Sequence, residues 1–153
     1  MALFLVQHGK SLPKEVDPDK GLSEQGISDV NRIAEVAKGY GIHVSGISHS
    51  GKKRARATAE IFSAALTPEN GIAEISGIGP MDDVEAFSRS IKSEEDRMIV
   101  GHLPFMEKLA AFLITGSQEK PVFKFQNGGI LCLDWFSETE SWAIKWALMP
   151  TIK

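Results

Sequence analysis

The chain alternates between short apolar runs and longer segments in which apolar residues recur every three or four positions. The run at 2–7 predicts a buried strand of a parallel sheet, because such a strand is covered on both faces. Residues 11–22 hold prolines, a glycine and charges, and they predict a loop. Ser23 is the expected N-cap of a first helix, which ends at Gly39 and Gly41. Its predicted buried face consists of Ile27, Val30, Ile33, Ala34 and Ala37.

The rest of the chain continues the alternation. Further strands are predicted at 44–49, 72–75 and 97–101. Further helices are predicted at 52–66, from Asp82 or Asp83 onward, and from Pro104 to Gly116. Two closely spaced strands, 128–135 and 141–148, predict a C-terminal antiparallel hairpin. Strands that alternate with helices indicate an α/β sandwich with a mostly parallel sheet and right-handed crossovers.

Composition narrows the class of protein. With 153 residues, the chain is expected to form one domain over 1–153. Its net charge of −3 argues against a nucleic-acid partner. The single cysteine, Cys132, lies in an apolar run and is expected to be a buried small hydrophobe. A reducing cytoplasm fits this usage, and the sequence has neither a basic leader nor an apolar run that could span a membrane.

Candidate chemistry collects where three predicted strands end. His8 follows the first strand, Ser50 and Arg54 follow the second, and His102 follows the strand at 97–101. The carboxyl ends of parallel strands face one crevice, so these side chains are expected to converge. Two imidazoles, a guanidinium and helix N-termini together suit a phosphate-like dianion.

The two histidines also suit catalysis. A neutral imidazole can accept a phosphoryl group as a covalent intermediate, nearby cations keep it neutral, and Arg54 suits the charge on the transferring oxygens. The second histidine, His102, would donate a hydrogen bond to those oxygens. Plainer interpretations stay open, since strand-end histidines are often only polar loop residues and Asp82 with Asp83 can simply begin a helix. Four further polar residues are expected to be ordinary surface, helix-face or strand-end residues: Lys53, Arg56, His43 and His49. Lys52 could likewise belong to a solvated helix face.

A zinc site is the rival chemical interpretation. His8, His49, His102 and an aspartate could in principle bind the metal. No pair of ligands at short spacing supports this possibility, so no metal is expected.

At these residues the chain resembles the histidine phosphatase superfamily, and within it the short phosphohistidine phosphatases of the SixA type. Val6-Gln7-His8-Gly9 stands where the family has Arg-His-Gly, and 99–104 (Ile-Val-Gly-His-Leu-Pro) is close to Val-Gly-His-x-Pro. The segment 48–58 is similar to Ser-Pro-x-x-Arg-Ala-x-Gln-Thr-Ala if Ser50 and Arg54 take the Ser and Arg places. The tail at 146–150 is similar to the SixA ending.

The resemblance implies a phosphoglycerate-mutase-like, three-layer sandwich with helices on both faces of the sheet. It implies that His8 is the phosphorylated nucleophile, with Arg54 and His102 in the phosphate pocket. Substrate-binding roles are expected for Gln7, Gly9, Lys10 and Ser50, and Asp82 or Asp83 is the candidate general acid. Gln7 departs from the family arginine, and Lys10 could replace only its charge. Gly51 replaces the usual proline, which is expected to change only the turn.

The expected function is removal of phosphoryl groups from protein phosphohistidine, in signal transduction, without a metal or organic cofactor. The short chain leaves little material for a lid, and an open pocket suits a phosphorylated protein as partner. Two alternatives remain. One is a capless phosphatase for small phosphate esters, and the other is a phosphate or phosphopeptide binding module that has lost turnover because of Gln7.

Overall fold

A six-stranded sheet forms the centre of the computed structural model, which describes all residues, 1–153. The strands are β1 (Ala2–Gln7), β2 (Gly46–His49), β3 (Ile72–Glu74), β4 (Arg97–Gly101), β5 (Ile130–Phe136) and β6 (Ser141–Leu148). Their order in space is β3-β2-β4-β1-β5-β6. The first four pair in parallel, whereas β5 is antiparallel to both β1 and β6. The structure thus confirms a mostly parallel sheet with a C-terminal hairpin.

Helices cover both faces of this sheet, as expected for three layers. They are α1 (Glu24–Gly39), α2 (Lys53–Leu66), α3 (Val84–Ser88) and α4 (Phe105–Thr115). Each face of the sheet packs against helices in its own hydrophobic core, and successive residues of β1 point into alternate cores. Phe4 and Val6 pack with α1 and α2, whereas Leu3 and Leu5 pack with α3 and α4. No helix combines the length and hydropathy that crossing a membrane requires.

The start of α1 departs from the predicted pattern in one respect. Ile27 is 44 % exposed, so its assignment to the buried face was wrong, and Gly26 is buried instead. The hydroxyl of Ser23 accepts a hydrogen bond from the amide of Gly26, which confirms the predicted cap. A Cβ at position 26 would lie 2.1 Å from the carbonyl oxygen of Lys10. The glycine therefore lets the helix touch the backbone of the loop that follows β1.

Two predicted elements are shorter than expected. The second strand begins at Gly46 rather than at residue 44, although Val44 is buried. Helix α3 ends at Ser88, so Ile91 lies beyond it and packs against the core from a loop. Neither change moves the carboxyl end of a strand, which is where the candidate chemistry lies.

Cys132 lies in the interior of β5, where it is 1 % exposed. Its Cα partners are Phe4 on β1 and Trp146 on β6. Burial raises the pKa of its thiol to about 12, so the group stays protonated at neutral pH. The prediction of a buried small hydrophobe is confirmed.

Candidate active site

The ends of three parallel strands bring the candidate side chains together. Gln7 and Gly101 are register partners at the ends of β1 and β4, so the two residues that follow them, His8 and His102, become neighbours. Their ring centroids are 5.0 Å apart. Ser50 follows β2 and contacts the second of these rings. The polar residues that end these strands are therefore gathered at one edge of the sheet, as expected.

Both nitrogens of the His8 ring are hydrogen-bonded, and the contact at Nδ1 fixes the tautomer. Its Nδ1 lies 2.7 Å from the carbonyl oxygen of Gly9, which can only accept, so Nδ1 carries the proton. The lone pair then sits on Nε2, to which Nε of Arg54 donates at 3.3 Å. Burial lowers the pKa of His8 to about 4, and the charges of Arg54 and Lys20 act in the same direction. The imidazole is therefore neutral at neutral pH.

The His102 ring is held through the opposite nitrogen. Its Nε2 lies 2.6 Å from the hydroxyl oxygen of Ser50, which also accepts from the amide of Lys52 at 3.4 Å. Its Nδ1 is buried and has no hydrogen-bond partner. Burial lowers the pKa of His102 to about 3, assisted by the charges of His8 and Arg54. Buried polar atoms without partners are rare, so this nitrogen marks an unusual site.

Two residues that the sequence interpretation missed fix the backbone at His8. The hydroxyl of Thr58 accepts from the amide of Gly9 at 2.9 Å and donates to the carbonyl of Arg54 at 2.8 Å. The side-chain amide of Asn127 donates to the carbonyl of His8 at 2.9 Å. The position of Thr58, one helical turn after Arg54, was a signal available in the sequence. The loop position of Asn127 gave no comparable signal.

The contacts of the residues beside His8 are mainly backbone contacts that hold this segment in place. A Cβ at Gly9 would lie 2.8 Å from the Val30 side chain, so a close helix approach requires this glycine. The carbonyl of Gln7 accepts from Gly128, while its half-buried side chain makes no hydrogen bond. Lys10 is exposed and forms no ion pair. Substrate contacts by these residues stay predictions.

Asp82 and Asp83 make local contacts, and neither forms a hydrogen bond with the two imidazoles. The carboxylate of Asp82 accepts from the amide of Gly79 at 2.7 Å, and Asp83 caps α3 by accepting from Ala86. Both line a separate cavity of about 940 Å³ whose walls include Arg97 but no candidate catalytic residue. The helix-start interpretation fits these contacts, and the expected role as general acid stays a prediction.

The turn after β2 shows why the second departure from the family pattern is built into this fold. Gly51 has a φ of +90°, which proline cannot adopt, and its amide donates to Nδ1 of the buried His49 at 3.1 Å. His43 lies elsewhere, exposed between Glu69 and Asp96. No cluster of three or more His, Cys, Asp or Glu side chains could hold a metal ion, so the zinc alternative has no site.

The arrangement of the sheet and its helices is similar to that of solved histidine phosphatase structures. No family model matches the sequence. The protein histidine phosphatase SixA, solved with tungstate, aligns with a TM-score of 0.82 at 23 % identity and covers 98 % of this chain and 97 % of its own. A SixA-type protein described as a putative phosphohistidine phosphatase, from Agrobacterium tumefaciens, aligns with a TM-score of 0.77 at 24 % identity and 97 % coverage of both chains.

The same fold occurs in phosphatases that act on other substrates. A phosphoserine phosphatase from Entamoeba histolytica, solved with 3-phosphoglyceric acid, has a TM-score of 0.70 at 15 % identity and covers 96 % of both chains. An uncharacterised protein of Picosynechococcus is 29 % identical over 76 % of this chain and 74 % of its own. The expected SixA-type fold is thus confirmed, and the fold by itself leaves the substrate open.

Proposed function

We propose that the protein is a phosphohydrolase in which Nε2 of His8 takes a phosphoryl group from protein phosphohistidine and passes it to water. The observation that carries this proposal is the hydrogen bond from Nδ1 of His8 to the carbonyl of Gly9. It leaves an unprotonated Nε2 in a ring whose pKa is about 4, so a nucleophile is present at neutral pH without a separate base.

The reaction then has two displacements. In the first, Nε2 of His8 bonds to phosphorus while the bond between phosphorus and the substrate nitrogen breaks, and the leaving imidazole takes a proton from solvent, which the attacking water of the second step returns. In the second, water attacks phosphorus, the bond to His8 breaks and inorganic phosphate leaves. Arg54 neutralises charge on the transferring oxygens, because its guanidinium already contacts the attacking nitrogen.

Ser50 prepares His102 for the same task. Since the hydroxyl oxygen of Ser50 accepts from Lys52, its own proton is free to be donated to Nε2 of His102. This arrangement favours the tautomer with its proton on Nδ1, the buried atom that lacks a partner. Nδ1 of His102 would then donate to a phosphoryl oxygen. Ser50 is thereby a positioning residue, and its expected direct contact with substrate is not needed.

The choice of a phosphohistidine substrate rests on the leaving group. The charges that shift the pKa of His8 and His102 come only from imidazole, Arg54 and the lysines Lys20 and Lys52. A carboxylic acid placed to protonate an alkoxide is not among them. The nitrogen of a phosphoramidate accepts a proton far more readily than an ester oxygen does, so such a substrate needs less acid assistance. The similarity of the fold to that of the protein histidine phosphatase SixA supports the same choice of substrate.

A trapping experiment tests the proposal. A radiolabelled phosphohistidine protein is mixed with the wild type and with His8→Ala, and the reaction is quenched in alkali. We expect alkali-stable, acid-labile label as 3-phosphohistidine on the wild type alone, with release of inorganic phosphate. Label on Nδ1, or equal turnover by His8→Ala, would contradict the mechanism.

Two other functions have some support and predict different outcomes. The Entamoeba phosphoserine phosphatase shares this fold, and an ester phosphatase would hydrolyse phosphoserine at least as fast as phosphohistidine. A binding module is favoured by Gln7, which supplies no cationic donor. Such a module would bind inorganic phosphate but give neither label nor release.

A further inference from the structure

A cleft beside Arg54 is lined mainly by cations. It has a volume of about 540 Å³, and none of its eight lining residues is hydrophobic. Five lining residues are cationic and one is acidic: Lys20, Lys52, Lys53, Arg54, Arg56 and Asp19. The whole protein has a net charge of −3, so this is a local reversal of its overall charge.

The cations of the cleft differ in how they are paired. Lys53 forms an ion pair with Asp17 at 2.8 Å, and Arg56 forms one with Glu60 at 3.0 Å. Lys20 and Lys52 form none. Because Lys20 and Lys52 have no carboxylate partner, their charges are available to an anion that enters the cleft.

Lys20 is held over the cleft by a specific loop structure. Asp17 accepts hydrogen bonds from the amides of Asp19 and Gly21 and from Nζ of Lys53, which ties the loop to the first turn of α2. Within this loop Lys20 has a φ of +52°, a left-handed conformation that is unfavourable for a residue with a Cβ. Strained backbone held by surrounding contacts is a common feature of functional sites.

Arg54 connects the cleft to the candidate nucleophile. Arg54 belongs to its wall and donates to Nε2 of His8 at 3.3 Å. The charge of Lys20 acts on His8 and that of Lys52 acts on His102, so both lysines lie within electrostatic reach of the rings. On the other side of Gly51 the local charge is negative. Glu74 lies against that glycine and lines the cavity that contains Asp82 and Asp83.

We propose that the cleft of Lys20 and Lys52 is a subsite for a second anionic group of the substrate, namely an acidic side chain that flanks the phosphohistidine. This inference rests on the proposed function and names its substrate class. A phosphorylated site with a nearby Glu or Asp would bind with its phosphoryl group at His8 and its carboxylate between the two lysines. The acidic wall beyond Gly51 would disfavour the reversed orientation.

Binding of stable analogues tests the subsite without requiring turnover. The probes are peptides that carry a non-hydrolysable phosphonate analogue of phosphohistidine, with Glu or Gln two residues away on either side. We expect one Glu peptide to bind about fivefold more tightly than its Gln counterpart, a gap that shrinks at 0.5 M salt. The double variant Lys20→Gln, Lys52→Gln should abolish the gap, and Lys20→Arg, Lys52→Arg should restore it. Lys14→Gln, from the same loop, removes one charge outside the cleft and should leave the gap unchanged.

Two outcomes would overturn the subsite. One is equal affinity for the Glu and Gln peptides, and the other is a gap that persists in the double glutamine variant. Hydrolysis of matching phosphohistidine peptides at pH 8 tests the proposed function separately. Peptides that bind with the expected gap but are not hydrolysed leave the subsite standing and contradict the phosphohydrolase. Peptides that are hydrolysed but show no difference in affinity between Glu and Gln would support the phosphohydrolase and contradict the subsite.

Discussion

The ends of β1 and β4 are neighbours in the sheet, and each is followed by a histidine, but the two rings are held in opposite ways. A backbone carbonyl holds Nδ1 of His8 and leaves Nε2 facing Arg54. A side-chain hydroxyl, that of Ser50, holds Nε2 of His102 and leaves Nδ1 without a partner. A strand end thus delivers an imidazole, whereas the group that anchors it selects which nitrogen is left for chemistry.

The largest expected difference between the ends of β1 and β4 is that only His8 carries the covalent phosphoryl intermediate. His8→Asn should lower turnover by roughly a thousandfold or more, because the nucleophile is lost. His102→Asn should lower it by about a hundredfold, the usual effect of losing one donor to a transition-state oxygen. Trapped label should vanish from the first variant and persist in the second.

The surface histidine offers a matched control for this pair. His43→Asn removes an exposed imidazole that pairs with Glu69 and Asp96, and both rate and label should stay at the wild-type level. Circular dichroism should show all three variants folded. Label lost from the His102 variant but kept by the His8 variant would reverse the assignment of the two strand ends.

Titration of the two rings should separate them from ordinary histidines. We expect midpoints of about 4 for His8 and about 3 for His102, both below the usual 6.5, followed through the imidazole carbon-bound protons by NMR. Burial is the main cause in each case. A midpoint near 6.5 for either ring would mean that it is solvated and would remove the reason for a neutral imidazole at that strand end.

The same shifts have a consequence for stability, and its sign follows from proton binding. Between the folded and unfolded pKa values the unfolded chain holds more protons than the folded protein, so stability rises with pH there. The contribution of His8 is complete above pH 6.5 and is lost as the pH falls through about 4, and that of His102 is lost through about 3. The wild type should therefore lose more stability than His8→Gln between pH 7 and pH 4 in urea unfolding.

Ser50→Ala should have a smaller effect than loss of either ring. It removes the hydroxyl that selects the tautomer of His102, and we expect a rate about tenfold lower. The ring nitrogen shifts of His102 should then report a changed tautomer, while those of His8 stay as they were. Ser50→Thr keeps the hydroxyl and should recover the rate. An unchanged spectrum for His102 in the alanine variant would show that Ser50 does not select its tautomer.

The smallest predicted effect is a gain. Gln7→Arg should raise kcat/KM about threefold, because arginine would restore a bidentate donor beside the transferring phosphoryl group. Gln118→Arg adds the same charge on a distant loop and should change nothing. If Gln7→Arg leaves the rate and phosphate affinity unchanged, then either Gln7 does not face the pocket or Lys10 already supplies the charge.

Much of this architecture could be predicted because strong local patterns specified it. The run at 2–7 and the run at 97–101 became strands over the predicted ranges, and each is followed by its histidine. Burial on both faces makes such runs continuous and therefore easy to recognise. Ile27 was misassigned because Gly26, which has no side chain to show in a hydrophobic pattern, occupies the close contact instead.

The site was less predictable where long-range contacts decide it. Thr58 and Asn127 fix the backbone at Gly9 and His8, but only the fold brings them there. Asp83 was recognisable as a helix cap from its local sequence, and this local role separates it from the imidazoles. Lys20 looked like one charge among several in a polar loop, since the hydrogen bonds of Asp17 that position it span several residues.

The burial of Cys132 has a practical consequence for measuring motion in this protein. The thiol is the only one in the chain, and it lies on β5 between β1, which leads to His8, and β6. Its side chain packs in the core between the sheet and helices α1 and α2, so a thiol reagent can reach it only when that core opens, and the rate of labelling in the native protein reports how often this happens. The labelling rate of Cys132 therefore measures the rigidity of the sheet that carries the proposed nucleophile, and it can be measured without any substrate.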